Sequence, residues 1–224
     1  MAAEVKRRDD GAGVACEPPT QVAEMIEQLA ETYAQELPLP DAEHARRCAS
    51  FAAHLFDVLA DRLELRPSDR LLTIAAALWH DVGYARAARD HMRKSFDMLV
   101  GCNFAEFDAE ERVIIACAAR YHRRLLPNIE HAGFGTLSSS NQRRVRRISA
   151  IVRLAVALDA GHLGAVTKIE VDPAVTPVVV RVFATGSAEV ERDRLSENAA
   201  AFERLTYIPL RVEVERYRMT SSQP

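Results

Sequence analysis

Between Thr20 and about residue 160, apolar side chains return every three or four positions, and after Gly164 they return every two. A period near 3.6 lines one face of a helix, whereas a period of 2 lines one face of a strand. The chain is therefore expected to be mainly α, a helical bundle followed by a small ββαβ layer. In "TQVAEMIEQLAETYAQEL", Val22, Met25, Ile26, Leu29 and Tyr33 form the stripe, with Thr20 read as the N-cap and Pro38 and Pro40 ending the run. Further helices are expected at roughly 41–64, 68–81, 90–101, 108–123 and 140–160. "VTKIEVDP", "VVVRVFATG" and "YIPLRVEVERY" read as strands, and "SAEVERDRLSENAAAFERL" as a helix from near Ser187. Pro209 favours an edge or strand-end position. The expected organisation is a mobile leader over 1–19, a helical domain over 20–163 and a small α+β subdomain over 164–224.

Composition sets outer limits. The 224 residues, 48% hydrophobic and 27% charged, suffice for one sizeable core. A net charge of -3 gives no global attraction to nucleic acid or to an anionic membrane, and no apolar run approaches a membrane span, so neither DNA nor a membrane is an expected partner. The chain reads as cytoplasmic. Cys16, Cys48, Cys102 and Cys117 lie far apart without CxxC pairing, as reduced thiols do.

Against that apolar background a few polar residues point inward. His44 precedes Cys48, Phe51 and Leu55 by 4, 7 and 11 residues, which puts the imidazole on the core face of its helix. Asp159 follows Ala155, Val152 and Ile148 by 4, 7 and 11, and His122 follows Ala118 and Ile115 by 4 and 7. "LLTIAAALWHDVGYA" supplies His80 and Asp81 at the end of a run apolar all round. Any one of these is explained by a satisfied core residue. Two imidazoles and two carboxylates converging in a dry core instead require a cation to balance the carboxylates. His44, His80, Asp81 and Asp159 are therefore the expected ligands of a divalent metal ion. Mixed nitrogen and oxygen ligation suits Mn, Fe, Co or Zn better than Ca, and tolerates Mg.

The order His44, His80-Asp81, Asp159 resembles the HD superfamily of metal-dependent phosphohydrolases. More narrowly, "HARRCASFAAHLFDVL", "AALWHDVGYA", "IIACAARYHRRLLP" and "RRISAIVRLAVALDAGH", followed by the ββαβ tail, resemble the C-terminal HD domain of the exopolyphosphatase/guanosine pentaphosphate phosphatase family over roughly residues 40–216. The resemblance implies an HD-type bundle and a phosphohydrolase acting on a nucleotide or other phosphate ester or anhydride. Exopolyphosphatase activity itself is not implied, because no glycine-rich phosphate loop precedes Thr20. "DHMRKS" keeps His91 but has Lys94 before Ser95, which leaves a second metal on His91 and His122 as an open alternative.

A bound cation lowers the pKa of its water and neutralises phosphoryl oxygens. Asp81 is the candidate to bind metal and orient that water, and His122, where it is not a ligand, to protonate the leaving oxygen. Arg123, Arg124 and Arg144 are the expected phosphate ligands, while Arg143, Arg146 and Arg147 fall on a solvated face. Trp79 and Tyr84 are candidates to stack a base. His54, His131 and His162 show no convergent pattern. The alternative to an enzyme is a metal- and nucleotide-binding sensor module, or a piece that forms a homodimer through its sheet.

Overall fold

The computed structural model describes residues 14–15, 19–186 and 188–216. Six helices come first: α1 (Thr20–Thr32), α2 (Ala42–Leu59), α3 (Asp69–Leu78), α4 (His91–Gly101), α5 (Ala109–Arg120) and α6 (Ser139–Ala157). Short 3-10 turns at Val82–Ala85 and Phe134–Thr136 interrupt them. Asp41 caps α2 by accepting from the His44 N–H, and Ser138 caps α6 through the Asn141 N–H. Asp108 and Glu111 form a reciprocal capping box on α5. At α1 it is Pro19, not Thr20, that stands at the N-cap, and Thr20 is already helical.

α3 is the axis of the bundle. Every residue from Leu72 to Leu78 is buried, and the helix packs against α2, α5 and α6. A helix apolar on all sides can be stable only where neighbours surround it. Trp79, fully buried, closes its end against Tyr33 and Phe104, with ring centroids 5.7 and 5.0 Å away. It is a core residue and has no face to offer a base.

The C-terminal part is the expected ββαβ layer. β2 (Val166–Asp172) and β3 (Val178–Ala184) pair antiparallel, α7 (Glu189–Thr206) crosses over, and β4 (Leu210–Arg216) returns parallel to β3. The parallel return requires a crossover of that length. Pro209 directly precedes β4, which is an edge strand. A fourth strand was not expected: β1 (Val14–Ala15) pairs antiparallel with β2, Val14 opposite Ile169. Part of the stretch read as a mobile leader is thus paired, and its other residues, apart from Pro19, lie outside the described residues, as do Ser187 and 217–224. Leu195, Phe202 and Leu205 of α7 belong to the same buried cluster as the bundle, so one hydrophobic core serves both parts.

Several helices end earlier than their periodicity suggests, α2 among them at Leu59. α3 stops at Leu78, α5 at Arg120 and α6 at Ala157, so His80, Asp81, His122 and Asp159 lie in the turns just beyond. There the backbone tightens to bonds three residues back, from His122 N to Ala119 O (3.3 Å) and from Asp159 N to Val156 O (3.4 Å). Apolar spacing cannot report this, because the side chains still face inward.

Candidate metal centre

His80 and Asp81 are held by their neighbours in sequence and by α4. Ser95, fully buried, donates to the His80 carbonyl (2.8 Å) and accepts from the Gly83 N–H (2.9 Å). A Cβ on Gly83 would lie 2.0 Å from the His91 carbonyl oxygen and 2.4 Å from the Ser95 nitrogen. Only glycine lets this turn press on the first turn of α4, and that contact brings His91 to Asp81.

Four imidazoles surround the Asp81 carboxylate or one another. His80 Nε2 lies 3.4 Å from Asp81 Oδ2, and His91 Nε2 and His122 Nε2 lie 3.5 and 3.6 Å from Oδ1. His44 Nε2 faces His80 Nε2 at 3.3 Å. The opposite ring nitrogens are all committed. Nδ1 of His80, His91 and His122 donates to the carbonyls of Ala77 (2.7 Å), Ala88 (3.0 Å) and Ala119 (2.8 Å), and Nδ1 of His44 donates to Asp159 Oδ2 (2.8 Å). A carbonyl oxygen only accepts, so each neutral ring carries its proton on Nδ1 and turns the Nε2 lone pair inward. His91 Nε2 and Asp81 Oδ1 accordingly have no hydrogen-bond partner.

Lone pairs facing lone pairs and a carboxylate repel unless a cation lies among them. Nitrogen and oxygen ligands about 2.0–2.2 Å from one tetrahedral ion sit about 3.3–3.6 Å from each other. The separations above match that range. Donor atoms of His80, Asp81 and His122 lie within 4.8 Å of one another, as do those of His44, Cys48 and His80.

Electrostatics follow the same geometry. Burial works to raise the Asp81 carboxyl, but the imidazoles of His80, His122 and His91 outweigh it and hold it well below the usual carboxylate range. Burial lowers His122 well below an ordinary imidazole and also lowers His44 and His91. His80 is the exception: burial works against its charge, yet Asp81 beside it raises the ring above the ordinary value.

Asp159 stands differently from the expected ligand. Its Oδ2 accepts from His44 Nδ1 (2.8 Å) and Arg47 Nε (2.9 Å), and its Oδ1 from the Gly164 N–H (2.9 Å). Burial would raise this carboxyl, and those donors hold it low instead. It fixes the tautomer and orientation of His44, as carboxylates behind metal-bound histidines do.

The arginines divide. Arg123 and Arg124 line the cavity at Asp81 and His122, and Arg123 donates to the Tyr84 hydroxyl (3.1 Å). Arg124 adopts φ 57°, a left-handed conformation costly for a residue with a Cβ. Arg144 is elsewhere: its Nε lies 2.9 Å from Asp69, which is fully buried, and its Nη1 2.8 Å from Asn141. Arg144 was expected at the phosphate, but its long side chain goes instead to the buried Asp69 carboxylate.

Two adjoining cavities, of about 240 and 300 Å3, open at this centre and share His44, Asp81, Arg123 and His162. His162, set aside on sequence grounds, stacks on His44 with centroids 3.7 Å apart and bonds through Nδ1 to Asp41 (2.8 Å). Its left-handed backbone, φ 61°, places it where no helical periodicity reaches. Arg47 was also missed, although its position three residues after His44 was a usable signal. Tyr84 stacks on His91 at 3.9 Å rather than standing free.

The sequence profile of Ppx/GppA phosphatase, domain III, matches residues 24–176, well over half of the chain. The chain belongs to the Ppx/GppA phosphatase family. The match begins in α1 and ends in the turn between β2 and β3, so the domain III region contains all six residues from His44 to Asp159 that build the centre. Among curated proteins none matches this domain III protein significantly.

Proposed function

We propose that this chain is an HD-superfamily, metal-dependent phosphohydrolase that holds a pair of divalent ions about Asp81 and cleaves a phosphate ester or anhydride. The observation that carries the reading is the convergence of four Nε2 lone pairs and one carboxylate, with every Nδ1 locked to an acceptor behind it. His44, His80 and Asp81 would hold one ion, and Asp81, His91 and His122 the other, with Asp159 orienting His44. A set this rich in imidazole favours Mn, Fe, Co or Zn over Mg. When bound, such ions supply a water of lowered pKa and neutralise charge on the phosphoryl oxygens.

The chain's own residues do the rest. Asp81, 20% exposed, is the most exposed side chain of the centre and lines both cavities, and its carboxylate orients the attacking water. Arg123, which lines both cavities, supplies guanidinium donors to the reacting phosphoryl group, and Arg124 stands farther along the wall of the larger cavity. His122 would act as a ligand rather than as the proton donor first expected of it, because its Nδ1 is committed to the Ala119 carbonyl and burial disfavours its charged form. With Trp79 buried, Tyr84 is the one of the two expected stacking residues that lines a cavity.

Elemental analysis of the purified protein and of Asp81→Asn, followed by hydrolysis assays across nucleotide and polyphosphate substrates with the identified metal, tests this. Metal loss in the variant and turnover abolished by chelation are expected. Unchanged metal content in Asp81→Asn would refute the centre. Metal binding without turnover on any substrate or divalent ion would make the chain a sensor module instead.

A further inference from the structure

The larger cavity extends from Asp81 and His122 away from the centre to α7, and its walls are lined by five arginines against two carboxylates. The carboxylates are already engaged: Asp81 by the histidines, and Glu197 by Arg194 at 2.9 Å. Arg124 and Arg204 have no ion-pair partner among the described residues. Arg153 is 6% exposed and makes no salt bridge among the described residues, although Glu197 acts on it from farther off. Its Nη1 donates to the carbonyls of Tyr121 (2.7 Å) and Leu125 (3.0 Å), its Nε to Asn198 (2.9 Å), and its Nη2 is left over. Burial, reinforced by Arg204, pulls this guanidinium down to about 10. A buried guanidinium among like charges is costly unless an anion joins it.

We propose that this cavity is a second anion subsite, at which Arg124, Arg153 and Arg204 take a phosphoryl group of the substrate that does not react. The inference rests on the phosphohydrolase reading and narrows its substrates to small molecules bearing at least two anionic groups, one at the metal centre and one against α7. The C-terminal layer is then part of the substrate site. Arg153 also positions the centre, since it ties the turn carrying His122, Arg123 and Arg124 to Asn198 of α7.

The test uses the full chain, stripped of metal, and isothermal calorimetry with inorganic pyrophosphate and orthophosphate at fixed ionic strength. Pyrophosphate is expected to bind more tightly than orthophosphate. Arg204→Ala and Arg124→Ala, both at exposed positions that should not unfold the protein, are each expected to weaken pyrophosphate binding about tenfold or more, as loss of a charged hydrogen bond does. Arg211→Ala removes the same charge from β4 and is expected to change nothing. Equal pyrophosphate binding in all four proteins, or none in the folded wild type, would overturn the subsite. Because no metal is present, that result leaves the metal centre standing, and failure of metal binding or turnover leaves the subsite standing.

Discussion

Replacing Arg144 by Met separates a structural guanidinium from a phosphate ligand. Asp69 is fully buried, with Oδ1 bound by Arg144 and Oδ2 accepting only the Arg66 N–H at 2.9 Å. At 2.9 Å and an effective dielectric constant of about 20, the ion pair is worth about 6 kcal/mol of attraction before desolvation. Removing one partner of such a pair costs about 3–5 kcal/mol, because the remaining charge stays buried. For a domain of this size that is a fall in Tm of about 6–20 °C. Arg70→Met breaks a pair with Asp57 that is similarly short, 2.6 Å, but 29% and 49% exposed, and is expected to cost only about 0.2–1 kcal/mol. Differential scanning calorimetry reads both. Adding Asp69→Leu to Arg144→Met removes the orphaned charge and should recover all but about 1 kcal/mol, the share of the Arg66 N–H. Metal content and turnover at low temperature are expected to be unaffected. A Tm within about 2 °C of wild type, or a raised KM without loss of stability, would refute the structural role and return Arg144 to the phosphate.

Gly83→Ala forces a Cβ to within 2.0 Å of the His91 carbonyl and should push α4 away, so that elemental analysis shows loss of metal even where circular dichroism is unchanged. Asp159→Asn keeps the shape but weakens the acceptor behind His44 Nδ1, and metal affinity is expected to fall about 10–100-fold in chelator competition. The metal-free protein should lose stability as pH falls below about 6.5, since burial lowers His44, His91 and His122 while the unfolded chain takes up their protons. Each contributes at most about 1.4 kcal/mol per pH unit between its unfolded and folded values, and raised His80 offsets part of this because its contribution is present at low pH and lost as pH rises. Urea titrations from pH 7.5 to 5 measure the slope, and stability that rises on acidification would contradict it.

The elements themselves were legible because their periods are local. The apolar stripes of α1, α2 and α6 are each written within a single segment, and burial follows from them directly. The inward aim of His44, His80, His122 and Asp159 was legible for the same reason. What each polar atom touches was not. Asp159 and Asp81 are both inward carboxylates in sequence, yet Asp159 is saturated by Arg47, His44 and the Gly164 N–H while Asp81 is left facing three imidazoles. Arg144 and Arg124 read alike as spare cations, and only the placement of Asp69 across α3 sends one inside while a left-handed turn sends the other to the cavity. His162 carried no pattern, because its contact with His44 spans more than a hundred residues of chain. Period is a property of neighbours in sequence, so the sequence determined which faces are buried. Ligation and ion pairing are distances of about 3 Å between atoms on different helices, so only the packing of those helices could decide them.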